Sequence, residues 1–278
     1  MDTEAAAGPL PPANETVITR EVVAAVSAHA AAATPGVVRL ETSVGGLLAG
    51  LGRSARSRIA GITPYPVHGT TATVTGDKVT VRVEVAVSGG QRAADTAAAV
   101  QRSVARAVTA GTGLTVAGVT VAILDVVLGA PAGLAAQAPW AGELPGPADG
   151  EWPGEPGWRA GSGSETGCAT ADGPPGSRGA VTAAVLGAIR SVPGLRPASL
   201  VRPERTRWMP WDPAVLAVGL DDDRLEVQLA ATRLPLPPLL GQAAAAVRAA
   251  TAETRWAVLP QRLVVTAVDA RALTGTSP

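Results

Sequence analysis

Phenylalanine is absent from this chain, tyrosine and lysine occur once each (Tyr65, Lys78), cysteine once (Cys168) and histidine twice (His29, His68). A lone cysteine cannot close an intrachain disulfide, so a secreted, cross-linked scaffold is excluded. Two histidines, neither with a cysteine or carboxylate at ligand spacing, give no basis for a metal site. The single lysine sits in a valine-rich stretch and no G-x-x-x-x-G-K-[ST] occurs, which excludes nucleotide hydrolysis of the P-loop type. No G-x-S-x-G elbow is present either. Aromatic residues for base stacking are missing from the first half apart from Tyr65, against an RNA-recognition sheet. Apolar runs such as 115–128 are broken by Gly, Thr or Asp and fall short of the roughly 18 residues of a spanning helix. The start, MDTEAAAGPLPPANET, lacks a basic segment followed by an apolar one, so no signal peptide is expected. No cofactor and no catalytic residue are expected.

What is abundant is small and apolar. The hydrophobic share is 46% of 278 residues, carried by Ala, Val and Leu, and the length favours two compact units over one. The zero net charge is uneven. Residues 17–128 hold 10 basic and 6 acidic residues and residues 178–271 hold 12 and 8, about +4 each, against −3 for residues 1–16 and −5 for residues 129–177.

REVVAAVSAHAAAAT after Thr19 reads as a helix with Val22, Val23, Val26 and Ala30 on its apolar face, stopped by Pro35-Gly36. TTATVT and KVTVRVEVAV flank Gly76-Asp77 as a hairpin. In the second strand Val79, Val81, Val83, Val85 and Val87 alternate with Thr80, Arg82, Glu84 and Ala86, which predicts one buried and one wet face. A helix through Ala97, Val100, Val104 and Val108 follows, then the strand LTVAGVTVAILDVVL. The same order returns after Gly179: a helix stopped by Pro193-Gly194, strands AVLAVGL and RLEVQLAA around Asp221-Asp222-Asp223, a helix with Pro237 or Pro238 in its first turn, and RLVVTAVDA, with Asp269 standing for Asp125. The expected fold class is therefore α+β: two copies of a small two-layer module, helix-strand-strand-helix-strand, joined by a disordered linker. The expected boundaries are a disordered N-terminus (1–16), the first domain (17–128), a Gly/Pro/Trp-rich linker with Trp140, Trp152 and Trp158 (129–177), a degenerate second domain (178–271) and a tail (272–278).

Two arginine clusters remain as candidate anion or partner contacts: Arg53, Arg56 and Arg58 in the first unit, and Arg202, Arg205 and Arg207, beside Trp208 and Trp211, in the second. They motivate an alternative in which the chain binds nucleic acid through Arg-rich loops.

The segments ITREVVAAVSAHAAAATPGV, GDKVTVRVEVAVSGG and AAAVQRSVARAVTAGTGLTVAGVTVAILDV, in that order over about 110 residues, resemble the alkaline shock protein family, the envelope stress response proteins of Gram-positive bacteria. The resemblance implies a non-enzymatic cytoplasmic protein that can be held at the membrane periphery by a protein partner; with no catalytic group found, the expected role is a scaffold or interaction module acting through self-association or through docking on that partner. It supplies no catalytic residue. The second unit and the Trp-bearing linker depart from the family pattern.

Overall fold

The computed structural model describes residues 14–41, 65, 67–128, 176–198 and 213–274. The architecture is α+β with two sheets. The first half runs β1 (Glu15–Ile18), α1 (Arg20–Ala32), β2 (Val37–Leu40), β3 (Thr70–Thr75), β4 (Lys78–Ser88), α2 (Ala93–Thr112) and β5 (Thr115–Val127). The second runs α3 (Arg178–Arg190), β6 (Leu195–Pro197), a 3-10 turn (Pro213–Ala217), β7 (Val218–Leu220), β8 (Leu225–Ala231), α4 (Leu236–Thr251), a second 3-10 turn (Arg255–Val258), β9 (Gln261–Val268) and α5 (Ala270–Thr274).

Each sheet is built on one central strand. β4 carries β3 and β2 antiparallel along one edge and β5 parallel along the other. The α2 crossover makes β5 parallel, as a strand-helix-strand connection requires. Likewise β8 carries β7 and β6 antiparallel on one edge and β9 parallel on the other. The parallel ladders shift register at matching places, between Val85 and Ala86 and between Leu229 and Ala230. The Pro-Gly stops also match. Gly36 and Gly194 both have positive φ, and their carbonyls accept from Ser88 N and Thr232 N at 2.8 Å each. This superposition corrects one expected correspondence. Asp125 lies opposite Ala86, whereas the residue opposite Ala230 is Ala267; Asp269 stands two places further on.

The five inward valines of β4 are at most 1% exposed and pack against Val100, Val104 and Val108 of α2 and Val22, Val23 and Val26 of α1. Branched side chains at period 2 on the strand and period 4 on the helix interlock without any large aromatic. The expectation of a fully wet second face needs correction. Thr80 and Arg82 are exposed, but Glu84, Ala86 and Ser88 are buried. The backbone of Glu41 and Gly69 bonds to Glu84 there, with Glu84 N donating to Gly69 O at 2.7 Å.

Three further differences have local causes. The stretch AVLAVGL is a strand only from Val218, because Pro213, with φ fixed near the helical value, opens a 3-10 turn. Glu15 and Thr16, within the stretch expected to be unstructured, belong to β1. Ala272–Thr274, expected as tail, continue α5, where Ala272 and Leu273 pack on the core.

β1 does not join its own half. It pairs in parallel with β9, Glu15 opposite Arg262 through Ile18 opposite Val265, and Thr19 N donates to Val265 O at 3.1 Å. Arg262 reaches Glu15 at 3.3 Å on one side and Glu226 at 3.2 Å on the other, so its guanidinium spans β1, β9 and β8. α1 therefore lies between the two sheets, with buried residues all round it, and Ala25 and Ala28 meet Tyr65, Ala270 and Leu273. One continuous core runs from Ile18 to Val268.

Two replacements test this arrangement. Gly69 has φ +64°, and a Cβ there would meet the carbonyl oxygens of Glu41 and Glu84, whereas Gly76 has φ +60° with open space around it. Gly69→Ala is expected to cost at least about 3 kcal/mol and Gly76→Ala about 1–2 kcal/mol in denaturant melts. Alternation from Thr19 directs the Val17 amide at β9 as well. Val17→Pro should accordingly speed hydrogen exchange along Leu263–Val265 while leaving the β3–β4 hairpin protected.

Candidate docking edge

Among the described residues no group of three or more His, Cys, Asp or Glu side chains could hold a metal ion. Asp222 of the acidic turn is taken up by Arg178 at 3.3 Å and Arg255 at 3.6 Å, so the turn ties the start of α3 to the second 3-10 turn. His68 is exposed. His29 is half-buried, with its ring edge-on to Tyr65 at 5.4 Å. Arg53, Arg56 and Arg58, and Arg202, Arg205 and Arg207, lie outside the described residues, as do Cys168 and Trp140, Trp152, Trp158, Trp208 and Trp211.

The feature that stands out is the strand edge of β5. It is 13 residues long, and its sole charge is Asp125. One edge is paired with β4; along the other no strand pairs among the described residues. The counterpart in the second sheet shows which backbone groups face outward. Val265 O turns away from β8 to accept from Thr19 N, and the matched residue on β5 is Ile123. Alternation then directs Val119, Val121 and Ile123 outward. Gln101 Nε2 of α2 donates to Val119 O at 3.0 Å, which agrees with that direction and covers the first of the three.

Beyond Ile123 the edge carries bare apolar surface: Leu124 and Val126 are each 48% exposed and Leu128 is 83% exposed. Val268, matched to Val126, is 1% exposed. The difference is that β9 lies under β1 and α1. Asp125, next to this surface, is held on the sheet by Arg39 Nη2 at 3.1 Å, and Arg39 also bonds Glu41. Half-exposed pairs of this kind contribute little stability, but they keep the carboxylate on the sheet face. A long edge strand with so little charge is what soluble proteins ordinarily avoid or cover. The sequence pattern marked this strand without signalling its open side, because openness depends on where β1 goes.

Residues 12–128 match the alkaline shock protein 23 family, which is described as having a cell envelope-related function. It is this segment that is similar to that family. It ends at Leu128, so it takes in β1, α1 and the whole of β5. No curated protein and no solved structure matches the chain. Among the described residues no helix is long and apolar enough to cross a membrane.

Within residues 12–128 the imidazole of His29 is held below the ordinary histidine range by burial. The unfolded chain therefore binds this proton more readily, and the stability that His29 contributes is present above the ordinary value and lost as pH falls below it. Denaturant midpoints measured between about pH 8 and about pH 5 should fall less in His29→Gln than in the parent.

Proposed function

We propose that the chain is a non-enzymatic envelope stress response protein of the alkaline shock type, working as a docking scaffold. It is brought to the cytoplasmic face of the membrane by a protein partner. The observation that carries this reading is a half-open edge strand with a single charge, inside a segment that matches a family with a cell envelope-related function. An extended strand edge recognises a partner through backbone hydrogen bonds and needs no reactive side chain. The scarcity of histidine, cysteine and lysine fits that role. The second half, with its matched Pro-Gly stops and ladder shifts, is read as a degenerate second copy of the domain. The nucleic-acid alternative rests on six arginines outside the described residues, and no geometric observation favours it.

Fluorescent tagging of the full chain tests the reading. The tagged protein is expected at the cell periphery, with its amount rising under alkaline or cell-wall stress. A diffuse distribution indifferent to both stresses would overturn it.

A further inference from the structure

Two contacts join the halves: α2 meets α4, with Gly113 against Pro237, and β1 with α1 lies on β9. The second of these runs in one direction: among the described residues no strand of the second half pairs along β5 in return. A heterologous contact of this kind leaves two unsatisfied ends: an acceptor edge on the first half and a donor segment on the second.

The acceptor is β5. From the matched ladder shifts, Thr120, Val121, Ala122 and Ile123 occupy the places that Arg262, Leu263, Val264 and Val265 occupy on β9. The exposed Leu124, Val126 and Leu128 lie just beyond, on the stretch that on β9 is followed by α1 and α5. The bare surface thus lies at the place that β1 and α1 cover on the second sheet.

The corresponding donor segment lacks the sequence of a ladder strand. α1 and α3 are both 13 residues long, with Thr19 and Ser177 as their N-caps. The four residues before Thr19 are Glu-Thr-Val-Ile, whereas those before Ser177 are Gly173-Pro174-Pro175-Gly176. Proline has no N–H to give a ladder, and Pro175 falls where Val17 turns its amide to β9. Gly176 has φ +85°, outside the strand region.

We propose that β5 accepts, in parallel, the free N-terminal strand and first helix of an alkaline-shock-type domain belonging to another chain, and that this chain offers no strand in return. The proposal rests on the docking function above and names its surface and partner. Thr120 replaces Arg262, so the incoming strand needs no carboxylate to match Glu15. It needs alternating small and β-branched residues, and a helix with an alanine-rich side to cover Leu124 and Val126. A chain that receives without donating ends any head-to-tail series it joins.

Disulfide trapping reads the register directly. The probe is a synthetic peptide of residues 13–20 carrying Val17→Cys. The target is the full chain with Cys168→Ser and Ala122→Cys. In the proposed register these positions are opposed on adjacent strands, within reach of a disulfide. Trapping should be at least about tenfold faster than with a scrambled peptide or with Thr115→Cys as the target. A second pair, Glu15→Cys in the peptide with Thr120→Cys in the chain, should trap equally well and guards against a local defect at Ala122. Equal rates for the scrambled peptide, or for Thr115→Cys, would overturn the proposal. So would rapid linkage of the Ala122→Cys chain to itself, which would make a second copy of this chain the occupant. A chain that reaches the envelope but does not trap loses this inference alone. A chain that traps but stays diffuse in cells loses the reading of its role.

Discussion

The pairing of β1 with β9 is the interaction on which the remaining geometry turns. Four residues ending at Ile18 carry α1 across to the second sheet. Because α1 follows within two residues, the first helix of one half becomes the filling between both. Its side chains are buried all round, an environment that neither half alone could offer. From the same pairing follow the shared core, the burial of Val268 and the exposure of its counterpart Val126.

A helix enclosed on several sides requires small side chains, and the composition meets that need. α1 is mainly alanine and valine, with Ala28 and Ala31 fully enclosed. Close approach elsewhere follows the same rule: a Cβ on Gly113, at the end of α2, would meet the ring of Pro237 in α4 at 2.8 Å. The lack of phenylalanine is thus tied to a structure in which elements lie close together. Thin layers of valine and alanine bury less apolar area per residue than aromatic cores, so many contacts must be made at short range.

Much of this could be read from the sequence, and what could not has a common cause. The valine alternation of β4, the turn at Gly76-Asp77, the Pro-Gly stops and the Val100, Val104, Val108 stripe are local signals whose period or dihedral demand fixes the outcome. The family resemblance rests on those same segments, and the match over residues 12–128 agrees with it. The missed features are non-local. Glu-Thr-Val-Ile is too short to announce a strand and pairs at the far end of the chain. An alanine-rich helix looks the same whether one side or all sides are covered. The wet face expected for β4 ends at Glu84, which is buried along with Ala86 and Ser88. Asp125 and Asp269 are not equivalent because position along each ladder, set by the pairing of Asp125 with Ala86 and of Ala267 with Ala230, is not visible in residue type. The candidate edge was visible as a strand but not as an edge, since that status depends on the path of β1.

The span of the β1–β9 ladder bears on how the chain matures. Glu15 leaves the ribosome well before Arg262, its partner in the ladder. Until the second sheet exists, α1 must wait with one side uncovered, packed on α2 and the first sheet. Contacts this distant in sequence form late and slowly, and waiting apolar surface attracts other chains. Folding during synthesis therefore has a built-in interval in which the newborn first domain is most exposed to capture, and it closes only when the C-terminal strand arrives.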